Sequence, residues 1–371
     1  MGILAAMFLS RGPYRIPVLL ALLTALSAPA GCTRAAAGTL GIMPGVLNDT
    51  GNRSLRRAIM HWGLEEFCKE FTHRGAPLIL REGDPVVGRF FARTCNFQEL
   101  DNGDVFVQFQ GQGYTWTNAS WRTSFDAGGS IQYNQDFLMD GSTMYAYFRT
   151  RTIAATNFKT IQIERGGAAA TSAFGGAANQ YAKQIVDQQL SRGFTVIRNS
   201  EGVVEFSLGM IEKGQHPARP FAVGDSKRAM LANERTEVHG AQLDFVGPFE
   251  VPSDGLALYL TAVVDGVPAV DLFVVRKDTG DTWMEQFIRQ PGVPQLPAQQ
   301  FPLMQDAAAT RVQWTKTVPV AKGHYYVVID NSAVVGTVAP PATSSGILSG
   351  VLAAAPPAAL VNLAVQLGDA P

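Results

Sequence analysis

The stretch Asp104-Val-Phe-Val-Gln-Phe-Gln110 decides the fold of the first half of the chain. Val105, Val107 and Phe109 alternate with other residues, as in a strand that has one buried face. The turn residues Asp101-Asn-Gly103 come directly before it. The segment therefore predicts a β-strand that begins at a tight turn.

Similar alternating segments follow this strand along the chain. They cover residues 114–125, 130–137, 144–151 and 158–164, with Gly128-Gly129 and Asp140-Gly141 as predicted turns. Alternation with short turns is typical of an antiparallel meander. The middle of this half is therefore predicted to be a sheet.

Two helices flank the predicted meander. The first begins near Ser54, which can cap it, and is ended by Gly75 and Pro77; its apolar residues recur at helical spacing, namely Leu55, Ala58, Ile59, Trp62, Leu64, Phe67 and Phe71. The second carries Tyr181, Ile185, Val186 and Leu190 and stops at Gly193. Strands at 194–198 and 203–208 follow, which predicts an α+β domain over residues 54–222 with helices packed on a curled antiparallel sheet.

Residues 223–371 have a different pattern from the first half. Residues 223–233 are predicted to link two domains, and from Glu234 onward the sequence shows strand patterns and no convincing helix. These patterns cover residues 238–251, 256–264, 269–276, 311–318, 325–330 and 360–366. Short strands between Gly/Pro turns predict an all-β sandwich domain over residues 234–371.

Composition is that of a folded protein. The chain has 371 residues, of which 46% are hydrophobic and 16% charged, so it has enough apolar surface for two cores. Its formal net charge is -1, which gives no support for a nucleic-acid partner.

The first 31 residues have the order of a bacterial export signal. Arg11 and Arg15 precede an apolar run over residues 16–26, and Ser27-Ala-Pro-Ala-Gly-Cys32 follows. The run is too short to span a bilayer, so residues 1–31 are predicted to be a removed signal peptide. Residues 32–53, rich in small residues, are predicted to be a flexible tether.

Two cleavage sites compete at the end of this signal. Ala28-Pro-Ala30 fits ordinary signal peptidase, whereas Ala30-Gly-Cys32 resembles the end of a lipobox, although Pro29 stands where a lipobox usually has leucine. In the second case Cys32 carries lipid and anchors the chain to a membrane. The predicted location is the bacterial cell envelope, either as an outer-membrane lipoprotein or in the periplasm.

The cysteine count bears on the same question. The chain has three cysteines, and an exported protein tends to pair them. If Cys32 takes lipid, Cys68 and Cys95 remain as a disulfide pair. The alternative is that Cys68 and Cys95 are buried, reduced thiols.

Motifs for catalysis, metal binding or cofactors were not found. The sequence has no G-x-S-x-G, P-loop, H-E-x-x-H or C-x-x-C motif, and its five histidines are scattered. His61 and Glu65 lie one helical turn apart, and Asp101 with Asp104 is an acidic pair, but a surface pair and turn residues explain them. No catalytic residue, metal ligand or cofactor is therefore assigned.

Aromatic and basic residues supply the candidate ligand-binding positions. If the strand over 144–151 runs straight, Tyr145, Tyr147, Arg149 and Arg151 share one face, where rings and guanidinium groups suit a sugar, a lipid head group or an anionic polymer. Tyr114 and Trp116 form a second candidate face for a carbohydrate. The alternative for both is ordinary cross-strand packing.

The C-terminal part resembles the β-sandwich modules appended to secreted bacterial proteins, including the pre-peptidase C-terminal type. The resemblance is carried by Phe249-Glu-Val-Pro-Ser-Asp-Gly255, by Asp271-Leu-Phe-Val-Val275 and by Val318-Pro-Val-Ala-Lys-Gly-His-Tyr-Tyr-Val-Val328. It implies a β-sandwich that is not catalytic.

The first half resembles uncharacterised bacterial envelope lipoproteins in the phrases Gly88-Arg-Phe-Phe-Ala-Arg-Thr-Cys95 and Gly193-Phe-Thr-Val-Ile-Arg198. A long helix beside a curled sheet is also similar to tubular lipid-binding domains, by analogy of architecture. Three hypotheses follow. The first is a non-enzymatic envelope lipoprotein that binds a lipid, another amphipathic ligand or a protein partner; the second is a surface protein for adhesion or carbohydrate binding; the third is a hydrolase without a recognisable motif.

Overall fold

The structure is a computed structural model that describes residues 45, 48–81, 83–117, 121–164, 183–184, 187–188, 191–198, 204–217, 219–222, 228–339 and 357–371. The predicted signal peptide, Cys32 and most of the predicted tether lie outside these residues. Among the residues described, none of the helices is both long enough and apolar enough to cross a membrane.

The first helix, α1 (Arg53–His73), begins one residue before the predicted cap and ends before Gly75. Its buried apolar side chains face a sheet; among the described side chains they are Met60, Leu64, Phe67 and Cys68. Of the second predicted helix, residues 183–184, 187–188 and 191 are described and are helical. Its apolar positions fall outside the described residues.

The predicted meander is confirmed. Before residue 210 the structure describes seven strands: β1 (Ala76–Ile79), β2 (Val86–Glu99), β3 (Val105–Thr117), β4 (Trp121–Asp140), β5 (Thr143–Ile163), β6 (Phe194–Arg198) and β7 (Val204–Leu208). Each pairs antiparallel with the next one along the chain. The long β3, β4 and β5 replace the shorter segments that the sequence predicts.

Gly128-Gly129 is a correction, because it lies inside β4 and not in a turn. A Cβ at Gly129 would lie 2.7 Å from the ring of Phe109, which is on the neighbouring strand. The glycine therefore makes room for an aromatic ring within the sheet.

Within the described part of the second half there are eight strands: β8 (Ala229–Val238), β9 (Gln242–Val251), β10 (Leu256–Asp265), β11 (Ala269–Arg276), β12 (Met304–Ala309), β13 (Trp314–Val320), β14 (Gly323–Asn331) and β15 (Ala359–Asp369). A four-stranded sheet, β12-β11-β14-β9, packs against β13-β10-β15-β8 across a shared apolar core. A β-sandwich is thus present, as predicted. Residues 229–233, predicted as part of a linker, begin β8.

The two halves share one sheet. Its eleven strands run in the order β13-β10-β15-β8-β2-β3-β4-β5-β6-β7, with β1 beside β2. The join is parallel and rests on Val86 of β2 opposite Thr236 of β8, whose hydroxyl donates to the Val86 carbonyl at 3.3 Å. The division into domains at 54–222 and 234–371 stays a prediction.

The prediction of no helix after Glu234 is wrong at α2 (Lys277–Arg289). Its apolar residues recur at helical spacing and are buried, namely Trp283, Met284, Phe287 and Ile288. Asp278 in its first turn and Arg289 in its last complement the helix dipole. The first turns of α2 contain Asp278-Thr-Gly-Asp281, which has the composition of a loop turn, so the sequence does not show where the helix begins.

The predicted disulfide is confirmed. Cys68 of α1 is bonded to Cys95 of β2, with their Cα atoms 5.3 Å apart. The bond holds the helix on the sheet beside a core that includes Phe67, Phe90 and Phe109.

Candidate functional site

A cavity of about 550 Å³ lies between α1, the strands β5–β7 and the strands β8–β9. Most of its wall is apolar, with Phe67, Phe71, Ala76, Pro77, Ile79, Val86, Met144, Ala146, Val196, Ile211, Met230, Leu231, Val246 and Phe249 among the lining residues. Its charged lining residues are Arg74, Asp84, Arg89, Arg198, Glu205, Arg219, Glu234 and Arg235. An apolar wall with a few polar groups is the usual character of a ligand pocket, and the volume falls within the usual range of roughly 300–1,000 Å³.

Gly63 is one of the residues of α1 that line this cavity. It lies in the interior of a 21-residue helix, where glycine costs about 1 kcal/mol relative to alanine. Glycine is often retained in a helix because a neighbour approaches closely, yet no heavy atom of the described residues lies within 4 Å of the position that its Cβ would occupy. Packing therefore does not require the glycine, and the space beside it belongs to the cavity.

A buried ion pair forms the floor of the cavity where the two halves meet. Arg89 donates to both carboxylate oxygens of Asp244, at 2.7 and 2.8 Å, and also binds Glu234. Thr236 and Tyr114 donate their hydroxyls to the same aspartate. Burial by itself would lower the pKa of Arg89. The carboxylates of Asp244 and Glu234 have the larger effect and hold this pKa above its ordinary value. The guanidinium is thus neutralised by protein groups.

Tyr114 and Trp116 do not form a carbohydrate platform, which corrects that prediction. Both are buried, and their rings stack 5.5 Å apart beneath α2, where Phe287 lies edge-on to Tyr114 at 5.2 Å. Their face of β3 is covered by the second half of the chain. The alternative, packing within the sheet, is the one that the structure supports.

The predicted face of β5 is divided, which corrects its use as one platform. Tyr145 and Tyr147 are buried with Ile197 and Ile211 and present no ring to solvent for stacking. Burial raises the pKa of Tyr147.

Arg149 and Arg151, the two arginines predicted on that face, make different contacts. Arg149 is exposed, with its guanidinium carbon 5.2 Å from the Tyr147 ring centre. The β4–β5 register shifts so that Thr150 and Thr152 pair with consecutive residues, which leaves Arg151 in a bulge. The strand is therefore not straight there, and Arg151 instead pairs with Asp104 at 2.8 Å.

The Asp104 carboxylate is surrounded by hydrogen-bond donors of the protein. Its carboxylate accepts from the side-chain amides of Asn102, Gln132 and Asn134 and from Arg151. Burial by itself would raise the pKa of the Asp104 carboxyl. The hydrogen bonds together have the larger effect, so this pKa lies below its ordinary value. Across the described ranges no group of three or more His, Cys, Asp or Glu side chains is placed to hold a metal ion.

A second pair of carboxyl groups lies in the four-stranded sheet. Asp271 and Asp330 are opposite each other on β11 and β14, and both are buried. Asp271 accepts from the Thr337 hydroxyl and the Val338 N–H, and Asp330 accepts from the Gly336 N–H. Burial raises the pKa of Asp330 to about 7. The pair fastens the segment after β14 to the sheet.

The comparisons with known proteins leave the family open. No family model matches the chain, and no curated protein does. Among solved structures, the chain is similar to one described as "Bacillus endospore appendages form a novel family of disulfide-linked pili", at 8% sequence identity and a TM-score of 0.19. The match covers 41% of this chain and 100% of that chain. A likeness at this TM-score supports no inference about fold or function.

The residues that line the cavity were not among the binding residues predicted from the sequence. Gly63 is an isolated glycine within a helical pattern, and such a glycine can indicate a special packing or functional position. The arginines of the cavity wall carry no such signal, because they come from the residue after α1, from β2, β6 and β8, and from the connection after β7, and only the fold brings them to one cavity.

Proposed function

We propose that this protein binds a lipid or another amphipathic ligand in the cavity beside α1. The single observation that carries the proposal is the apolar cavity together with Gly63, a helix residue whose side-chain space is left open toward it. An apolar ligand that enters this space removes its own surface and that of the wall from water, which is worth roughly 25 cal/mol per Å². The binding unit in this proposal is the α+β domain over residues 54–222, closed by β8 and β9.

The test is Gly63→Phe, measured as the affinity of the full chain for a pyrene-labelled fatty acid. The phenylalanine ring projects into the cavity and competes with the ligand for space, so we expect wild-type protein to show saturable binding and the variant to bind roughly tenfold more weakly or worse. Equal affinity of the two proteins, or no saturable binding by the wild type, would overturn the proposal.

Gly63→Ala is the matched control for that experiment. It adds only a methyl group, for which the described residues leave room, so its affinity should equal that of the wild type. Its free energy of unfolding should rise by up to about 1 kcal/mol, because alanine favours the helix. A thermal melt of each variant checks that both are folded.

We further propose that the protein is an exported, non-enzymatic envelope lipoprotein held at a membrane through lipid on Cys32. The proposal rests on the order of charged, apolar and small residues before Cys32 and on the pairing of the other two cysteines. Metabolic labelling with a fatty-acid analogue in a bacterial host should mark the wild type and not Cys32→Ser. Unlabelled wild-type protein would contradict the anchor and leave cleavage after Ala30.

No observation favours the carbohydrate hypothesis as a second function, since the rings of Tyr114, Trp116, Tyr145 and Tyr147 are buried. The hydrolase hypothesis names no nucleophile, base and orienting partner. It is not proposed.

A further inference from the structure

The two carboxyl groups of the four-stranded sheet lie side by side in the interior. Asp271 of β11 and Asp330 of β14 are directly opposite each other in the antiparallel pairing, and each is 0% exposed. Side chains opposite each other in such a pair point to the same face, with Cβ atoms about 5 Å apart. The two carboxyl groups therefore share one buried space.

The segment that follows β14 lies on this pair, and we name residues 332–338 the strap. The Thr337 hydroxyl and the Val338 N–H donate to Asp271 at 3.1 and 2.7 Å. A Cβ on Gly336 would lie 1.9 Å from Oδ2 of Asp271, so only glycine fits there. The end of the strap is thus fastened to the sheet through a carboxylate.

Asp330 is the member of the pair that retains a proton. The Gly336 N–H donates to its Oδ2 at 3.2 Å, whereas its Oδ1 has no hydrogen-bond partner among the described residues. Two adjacent carboxyl groups away from water resist a second ionisation, and an oxygen without a donor favours the neutral form. Burial, with the charge of Asp271 in addition, raises the pKa of Asp330 to about 7, although hydrogen bonding by Ser332 and Gly336 acts against the rise.

The other charged groups of the surrounding elements are bound to different partners or lie far along their strands. Those with partners are Asp244 (Arg89), Asp306 (Lys316), Asp281 (Lys277), Glu285 (Arg289), Glu237 (His239), Glu164 (Arg122) and Asp278 (the Thr279 N–H). Those at the far ends of β9, β11 and β14 are Glu250, Arg276 and His324. The strap has no titratable side chain, so Asp271 and Asp330 decide the charge beneath it.

We propose that this pair is a pH-sensitive latch, which holds the strap on the sheet while one carboxyl group keeps its proton and releases it when both are ionised. With one proton the pair bears a single negative charge, which the donors of Thr337 and Val338 stabilise on Asp271. Loss of that proton puts two like charges in one buried space, and opening of the strap lets water reach them. The latch acts apart from the cavity and needs no ligand.

The direction of the pH effect follows from which state binds the proton more tightly. In the open state Asp330 has the ordinary aspartate pKa of about 3.9, and in the closed state its pKa is raised to about 7. The closed strap is therefore most stable below the lower value, and its stability is lost as the pH rises from about 4 to about 7. Each pH unit within this window changes the opening equilibrium by up to about tenfold.

Hydrogen exchange of the strap amides in the full chain tests the latch. Protection factors of Gly336 and Val338, corrected for the intrinsic effect of pH on exchange, are measured at pH 5 and pH 7. We expect them to fall by roughly 50-fold in the wild type between these two values. They should stay below the protection factor of Val327, in the middle of β14, at both values, because the strap opens without the sheet.

Asp330→Asn removes the ionisable group, so its strap amides should have equal protection at the two pH values. Asp306→Asn is the matched control on the same sheet, because Asp306 pairs with Lys316 away from the strap, and it should keep the wild-type fall. A thermal melt checks that each variant is folded. If Asp330→Asn is not folded, an NMR titration of the Asp330 carboxyl carbon in the wild type replaces it, with an expected midpoint near 7.

Four results would each overturn the latch. They are equal protection of the wild-type strap at pH 5 and pH 7, a fall that Asp330→Asn retains, strap amides as protected as Val327, and a titration midpoint below about 5. None of them bears on the cavity, so the proposed function and the latch can fail separately.

Discussion

Replacing Cys68 and Cys95 together with alanine is expected to lower the free energy of unfolding by about 3.5 kcal/mol. The bond closes a loop of 27 residues between α1 and β2, and a cross-link of that length restricts the unfolded chain far more than the folded one. Urea unfolding of the two chains in an oxidising buffer measures the difference. Both chains should carry Cys32→Ser, so that no third thiol exchanges with the bond.

A reductant supplies the control. Added to the bonded chain, it should produce a similar loss of stability, and added to the double-alanine chain it should change nothing. A loss below about 1 kcal/mol in both forms would mean that packing of α1 on the sheet, and not the cross-link, holds the helix in place.

Replacing Arg89 with methionine is expected to cost about 3–5 kcal/mol in the free energy of unfolding. The side chain of Arg89 is 1% exposed, and removing its charge leaves Asp244, which is 0% exposed, without its cation. The loss comes mainly from this stranded carboxylate, since methionine fills much of the same volume. Chemical unfolding of the wild type and the variant measures it.

Arg93→Met is the matched control on the same strand. Arg93 pairs with Glu285 across the same two halves of the chain, but its side chain is 52% exposed, so solvent screens the pair and the expected loss is under about 1 kcal/mol. Similar losses from the two substitutions would show that burial of the Arg89 pair does not decide its contribution.

Short-range patterns predicted the parts of the fold that depend on neighbouring residues. The alternation in residues 104–110 became β3, and the helical spacing after Ser54 became α1, because each element buries one face of its own. The bond between Cys68 and Cys95 followed from the cysteine count and the export signal.

Long-range contacts explain the parts that were wrong. Tyr114 and Trp116 are aromatic residues of the kind found in binding platforms, but the second half of the chain covers them. The local sequence pattern does not show that a distant part of the chain packs on them. Residues 229–233 were predicted as the end of a linker, yet they begin β8 because β15, far along the chain, pairs with this strand. Gly128-Gly129 resembles a turn, although its lack of side chains serves ring packing inside β4.

The cavity shows the same difference between what short-range patterns predict and what long-range contacts decide. Gly63 could be noticed from the sequence as a helix glycine, but its meaning depends on the empty space beside it. Arg198 of β6 and Arg219, which follows β7, line the same cavity only in the folded chain. Sequence patterns predicted the frame of the cavity and not its charge.

The position of β15 has a consequence for the order in which the chain can fold. It follows all the other strands in sequence, yet it lies between β8 and β10 and pairs with both. During synthesis those two strands are complete long before their shared partner exists, so this part of the sheet closes only through contacts that are distant in sequence, which form slowly. The gap between β8 and β10 therefore stays unfilled on the ribosome until β15 has been made.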